Sequence, residues 1–249
     1  MKSQIILITT TLLLTSLIII TKIPKSTIPN LKQSNAEPWE IYDYYFLALQ
    51  WGPSMCTKVG KICYDKLKMI PKNEMSIHGL WPSLLKSKNL PECNSGKKIS
   101  IKDDSSMKNI RKYWCSLNSN TNSFFWEHEY NKHGYCYNKR VGIDVNNYHA
   151  YFNKALDVFK KYNLNRLMIN AFKKDSEYFL ITVSYKELYM KIKAVLGGDY
   201  FQIVCSNYDV NQYLGEIRIA FDLEFRLRKI LKGPGSCSMK KSINVIFWG

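Results

Sequence analysis

Apolar residues along this chain follow several rhythms, and each rhythm predicts a different element. From Ile5 to Ile20 the chain is apolar apart from threonines and one serine, and no charge occurs between Lys2 and Lys22. A basic start followed by such a run reads as an export signal removed from the mature protein. The expected signal spans residues 1–24, with the small-x-small triplet Ser34-Asn35-Ala36 as a later cleavage site, which leaves a mature domain over 37–249. Residues 21–38 are polar and proline-containing and read as a loose leader. Ile41 to Trp51 is dense in aromatic and aliphatic residues and predicts a buried strand. Residues 86–109 are rich in Lys, Ser and Asn and predict a surface loop with room for a short helix.

Helical spacing dominates the middle of the chain. Ser123 to His133 predicts a helix. Tyr148, Tyr151, Phe152, Ala155, Leu156 and Phe159 mark the apolar stripe of a second, over Asn147–Tyr162. A third opens at Ser184 with Glu187 three residues on, a capping pair, and closes at Gly197-Gly198. Phe201–Cys205, Glu216–Arg228 and Ile243–Trp248 predict strands. No regular strand–helix–strand alternation links these elements, so the pattern favours an α+β fold over a doubly wound sheet. No internal repeat, low-complexity tract or Pro/Gly linker divides the chain, so a single domain is expected.

Composition narrows the function classes. With 36 Lys+Arg against 20 Asp+Glu, the net charge is +16. Removing residues 1–36 takes away four lysines and no acid, so the mature domain keeps +12. Such a field favours polyanions, nucleic acid or an anionic membrane surface, although a generically basic secreted protein would share it. Seven cysteines fit an oxidising compartment, and three disulfides with one odd thiol is the simplest count. None forms a C-x-x-C pair, which disfavours a zinc ribbon. The chain has no Asn-x-Ser/Thr triplet, so no N-linked glycan is expected.

Two segments carry candidate chemistry. They are Ser76-Ile77-His78-Gly79-Leu80-Trp81-Pro82 and Phe125-Trp126-Glu127-His128-Glu129-Tyr130-Asn131-Lys132-His133-Gly134-Tyr135-Cys136. They hold three of the four histidines. On a helix Glu129 and His133 share one side, and His128 and Lys132 share the adjacent one. A histidine pair can serve as acid and base near neutrality, and Lys132 can meet phosphate charge. A zinc-protease reading of His128-Glu129 would need its second histidine at position 132, where Lys132 would repel a metal. His149 stands on an aromatic-rich helix without a polar cluster and reads as structural. Trp81 and Trp126, taken singly, would read as core aromatics.

Both segments, in this order and at this separation, resemble the two active-site segments of the ribonuclease T2 family. Leu49-Gln50-Trp51-Gly52-Pro53 with Cys56 resembles the family's first core strand and its following cysteine. The resemblance covers about residues 40–249. It implies a central antiparallel sheet flanked by helices, and metal-independent, cofactor-free endonucleolytic cleavage of single-stranded RNA through a 2′,3′-cyclic phosphate. It implies His133 as general base, His78 as general acid, Glu129 and Lys132 as stabilisers of the phosphorane, and His128 as a phosphate ligand. Gln50 and Phe125 match positions that line a base pocket, and Trp81 is a further candidate to face substrate; packing is the competing reading for all three. The implied disulfides are Cys56–Cys63, Cys93–Cys136 and Cys205–Cys237, which leaves Cys115 free. Tyr135 stands where many members have threonine, and Cys115 where proline is common. The charge and the wording of the second motif resemble the S-RNases of gametophytic self-incompatibility, which would imply a pollen F-box-type recognition partner. A defence or nutritional ribonuclease is the alternative setting, and a catalytically inactive binding protein on the same fold the alternative class. A monomer without stable membrane association after signal removal is expected.

Overall fold

The computed structural model describes residues 38–85, 96, 98–118, 121–172, 179–230 and 235–248. The expected signal segment and Cys93 lie outside the described residues. The strands are β1 (Tyr44–Gln50), β2 (Ser76–Ser83), β3 (Leu180–Val183), β4 (Phe201–Tyr208), β5 (Asn211–Phe221) and β6 (Ile243–Ile246). The α-helices are α1 (Pro38–Ile41), α2 (Gly52–Val59), α3 (Lys61–Leu67), α4 (Lys108–Tyr113), α5 (Asn122–Glu129), α6 (Tyr135–Arg140), α7 (Tyr148–Lys161), α8 (Leu167–Ala171) and α9 (Tyr185–Leu196).

The fold is α+β, as the pattern predicts. Among the described residues one six-stranded sheet runs in the order β2-β1-β5-β6-β3, with β4 also paired to β5. The sheet is not wholly antiparallel, because β5 and β6 pair in parallel at Gln212–Ile243 and Tyr213–Asn244. Apolar side chains of its inner face join those of the helices in one large core, built around Leu47, Leu49, Ile217 and Ile219 from the sheet and Trp126, Phe152 and Phe159 from the helices.

Several predicted boundaries shift for local reasons. The first strand begins at Tyr44 because Ile41 ends α1, whose neighbouring carbonyls at Trp39, Glu40 and Tyr42 all accept from Arg140 Nη1. The strand expected over 216–228 begins earlier, at Asn211, and stops at Phe221. There Asp222 Oδ1 accepts from the backbone N–H of Glu224 and Arg226 and folds the chain into a turn, with Phe225 at φ 59°. The last strand stops at Ile246, since Trp248 turns its backbone to the Asn73 side chain. Strands β2 and β3 and helices α2 and α3 were not marked out by periodicity. Helix α7 buries the predicted stripe, and α9 shows the predicted capping: Ser184 Oγ accepts from Glu187 N–H at 3.1 Å, and Gly197 closes it at φ 76°.

The expected helix over 123–133 continues past His133. Helix α5 passes into a π-helical turn over Tyr130–Gly134 and continues as α6. Such a wide turn inside an α-helix frequently marks a functional site. Asn138 Nδ2 ties it down by donating to Tyr130 Oη and to the carbonyls of Asp144 and Asn147.

Strand β2 lies at the edge of the sheet, and side chains cover its open edge. Tyr151 Oη from α7 accepts from Leu80 N–H at 3.1 Å and donates to Leu80 C=O at 3.0 Å. Trp114 Nε1 donates to the His78 carbonyl at 2.7 Å, and Trp126 Nε1 donates to Trp114 C=O at 2.6 Å. The bonds from Tyr151 and Trp114 satisfy backbone groups of β2 that an edge strand leaves unpaired, and Trp126 holds Trp114 in place. Disulfides join Cys56–Cys63 and Cys205–Cys237. Cys136 is also disulfide-bonded, while Cys93, its expected partner, lies outside the described residues. Cys115 is a free, buried thiol, and burial pushes its pKa up to about 11.

Gly134 has helical dihedrals, so its constraint is space. A Cβ there would collide with the Tyr130 ring and come within 2.8 Å of the Tyr151 ring. Gly134→Ala should therefore lower stability by about 1–3 kcal/mol, the usual range for overpacking, measured by urea unfolding.

Candidate active site

A β-bulge aims the first motif. Ala48 pairs with Gly79 and Leu49 with Ile77, so His78 is an extra residue on β2. In an unbroken strand His78 and Trp81 would face opposite sides. The bulge keeps Ile77 and Leu80 in the core and brings His78 and Trp81 together, with ring centroids 5.1 Å apart. On β1 and β5 the same outer face carries Gln50 opposite Glu216 and Ala48 opposite Arg218.

The second motif supplies the other wall. The wide turn leaves Glu129 and His133 buried, at 1% and 3% exposure, while His128 and Lys132 are exposed. The pairs inferred from helical spacing therefore hold through the π-turn. Gly79 makes the junction possible: a Cβ there would collide with the Glu129 carboxylate and the Trp81 indole. In its absence Trp81 Nε1 donates to Glu129 Oε2 at 2.9 Å. The other Glu129 oxygen lies 3.6 Å from His78 Nε2. The Trp81 ring also lies 5.5 Å from the His133 ring and 4.9 Å from the Arg218 guanidinium. Phe125 is half-buried, its ring 5.6 Å from that of His78. Trp81 is buried and surrounded by these groups, so packing dominates its environment.

Burial and neighbours drive the two histidines apart. For His133, desolvation and then the charges of Lys132 and the other histidines hold the pKa well below the usual imidazole range. For His78, desolvation alone would lower it, but the hydrogen bond to Glu216 and the charges of Glu129 and Glu216 outweigh burial and raise it. His128 is lowered by desolvation, Lys132 and His78. Desolvation pushes Glu129 up to about 7, against the opposing pull of His78, Trp81 and Lys132. The neutral form is thus favoured at His133 and the protonated form at His78. His133 Nδ1 and Gln50 Oε1 are buried without a hydrogen-bond partner among the described residues. His128 and Lys132 also line an open cavity of about 460 Å³ with Lys98, Phe124, Glu127 and Asn131. His149 stands apart, its ring against Tyr148.

The model of the ribonuclease T2 family matches residues 42–237. The chain belongs to that family. It is accordingly a T2-type endoribonuclease. Ribonuclease Oy of Magallana gigas is 32% identical over 197 residues, which cover 75% of this chain and 86% of the relative. Ribonuclease 3 of Arabidopsis thaliana is 29% identical over 161 residues, 63% of this chain and 68% of the relative. Among solved structures, a self-incompatibility associated ribonuclease of Nicotiana alata superposes with a TM-score of 0.60 at 22% identity, covering 83% of this chain and 98% of that one. An RNase-related protein from Calystegia sepium gives 0.60 at 21% identity, covering 83% and 97%. At these identities the structural likeness speaks to fold.

Sequence reasoning missed Glu216 and Arg218. His78 Nδ1 is in contact with Glu216 Oε1, and Arg218 Nε and Nη2 both donate to Glu216 Oε2, at 3.1 and 2.9 Å. The available signal was two opposite charges, two apart, on an otherwise apolar strand from Leu214 to Phe221.

Glu129 holds its proton more tightly folded than unfolded. The folded state thus binds more protons between about pH 4.5 and 7, and this contribution to stability is lost as pH rises through about 7. The rise corresponds to about 3 kcal/mol, an order-of-magnitude figure. Glu129→Gln, which keeps an acceptor for Trp81, should stabilise the protein at pH 8 by up to that amount and change little at pH 4. Denaturant midpoints at the two pH values check this.

Proposed function

We propose that the chain is a secreted enzyme that cleaves single-stranded RNA by transphosphorylation. His133 takes the proton from the ribose 2′-OH. The 2′-oxygen bonds to phosphorus, the bond from phosphorus to the 5′-oxygen breaks, and His78 Nε2 gives its proton to that leaving oxygen. The product is a 2′,3′-cyclic phosphate, hydrolysed more slowly to a 3′-phosphate. Lys132, Glu129 and His128 meet the phosphorane and its charge, while Phe125 and Gln50 contact a base. RNA brings its own nucleophile, so an acid, a base and positive charge suffice. The observation that carries this reading is the opposed pKa displacement of His78 and His133 around one shared indole, Trp81.

Secretion is supported by the apolar N-terminal run and the disulfides, and tagged chain in the medium of expressing cells tests it. Within the organism, the high basic charge favours a style ribonuclease of gametophytic self-incompatibility, recognised by a pollen F-box-type partner. The missing Asn-x-Ser/Thr triplet favours a defence or nutritional enzyme instead. Pistil-restricted transcript supports the first setting, and expression in vegetative tissue the second.

His78→Ala and His133→Ala should each lower RNA cleavage by at least roughly 10²-fold, the scale of a positioned acid or base. Wild-type cleavage should survive EDTA. Near-wild-type turnover in either folded variant would remove the role assignment.

The +12 of the mature domain predicts a second outcome. Binding of a non-cleavable 2′-O-methyl strand should weaken steeply between low and physiological salt as condensed counterions are released. A flat response would place the basic surface away from the RNA path.

A further inference from the structure

Two carboxylates flank His78, one at each ring nitrogen. On the Nε2 side stands Glu129, which the second motif supplies. On the Nδ1 side stands Glu216, on a different strand and in neither motif. Their states diverge. Burial pushes Glu129 up to about 7, so it holds a proton more readily than an ordinary carboxylate. Glu216 is also buried, and desolvation by itself would raise it, but the hydrogen bond and charge of His78 and the charge of Arg218 hold it below the ordinary carboxylate range. The fixed negative charge beside His78 therefore belongs to Glu216.

The geometry of this contact is divided cleanly. Glu216 Oε1 faces His78 Nδ1, and Glu216 Oε2 takes both N–H donors of Arg218. Arg218 sits two residues along the same strand, so both side chains leave the same face of β5. The Arg218 guanidinium is in turn seated over the Trp81 ring, at 4.9 Å. A second irregularity fixes the start of this arrangement. Val204 pairs with Glu216 and Cys205 with Leu214, so Gly215 is an extra residue on β5, immediately before Glu216. Its carbonyl accepts from Trp51 N–H at 2.8 Å. A bulge on β5 thus sets the carboxylate, as the bulge on β2 sets the imidazole.

We infer that Glu216 is the positioning residue of the general acid His78, and that Arg218 clamps Glu216 for that task. The inference rests on the proposed role of His78. Glu216 binds the Nδ1–H, which fixes the ring's orientation and leaves Nε2 on the side of Glu129. When Nε2–H breaks and the 5′-oxygen gains the proton, the Nδ1–H stays with Glu216, and His78 is left as the Nδ1–H tautomer. A buried carboxylate behind a catalytic imidazole fills the same office in serine hydrolases. Arg218 withholds the second oxygen of Glu216 from any other donor and keeps the carboxylate ionised.

The test compares Glu216→Gln, Glu216→Ala and His78→Ala in full-length mature protein. The readouts are kcat and KM on a uridine-containing dinucleotide as a function of pH, and the NMR signal of the His78 Nδ1 proton. Among the described residues, the other charged or titratable groups coupled to His78 are Glu129, Arg218, His128 and His133, and all three variants retain those four. Glu216→Gln preserves an acceptor and removes the charge. It should shift the basic limb of the profile, where His78 loses its proton, to lower pH by roughly one unit. Glu216→Ala should add a fall in kcat of at least roughly tenfold, with KM changed less than about threefold, and should abolish the downfield Nδ1–H signal. If Glu216→Ala does not fold, the isosteric glutamine variant alone decides through its pH profile and the proton signal. An unmoved basic limb and an unaltered Nδ1–H signal in Glu216→Gln would overturn the inference while leaving His78 as acid. Retained activity in His78→Ala would overturn the acid assignment and the inference with it.

Discussion

Glu129 has 1% of its surface exposed, yet it is ionisable and stands within 3.6 Å of a histidine. Burying such a group costs free energy unless polar partners receive it. Here the Trp81 indole N–H binds one oxygen, and the other looks to His78. That arrangement requires β2 to approach α5 more closely than a side chain would allow, and Gly79 is the residue at the approach. Once the carboxylate is seated, Trp81 is fixed. The indole then fixes its neighbours, the His78 and His133 rings and the Arg218 guanidinium. The order of the site follows from the accommodation of one buried acid.

The same burial separates the chemistry of two otherwise identical imidazoles. His133 lies deep and near Lys132, with no carboxylate among the described groups that shift it, so its neutral form is favoured. His78 has a carboxylate at each nitrogen and keeps its proton more tightly than a free histidine. Distance in sequence is irrelevant to this division. It depends on which strand or helix presents an acid to which ring nitrogen, and the pairing of β1 with β5 brings Glu216 there.

Much of this was legible in the sequence, because the relevant patterns are local. The grouping of Glu129 with His133 and of His128 with Lys132 follows from side chains four residues apart, and their burial respects it. The stripe of α7 and the cap of α9 are equally local. What escaped was determined across the sheet. The expected helix over 123–133 stops one residue before Gly134. Gly134 is instead an interior residue whose missing side chain makes room for the rings of Tyr130 and Tyr151, the latter from α7. Glu216 gave no motif to recognise, because its meaning comes from a histidine 138 positions away.

The bulge at His78 shows the limit most clearly. A period of two assigns His78 to the face shared by Leu80, and Leu80 is core. The alternation rule would then bury the imidazole against apolar side chains and turn Trp81 away from it. One inserted residue opposite Ala48 reverses the phase between Ile77 and Leu80 and leaves both in the core. The phase change places His78 and Trp81 on one face, where β5 presents Glu216 and Arg218. A bulge is set by the register of neighbouring strands, and here also by the hydrogen bond from Trp114 to the His78 carbonyl. Those partners lie elsewhere in the chain, so the motif announces the residue types of the site, while the sheet decides which way they face.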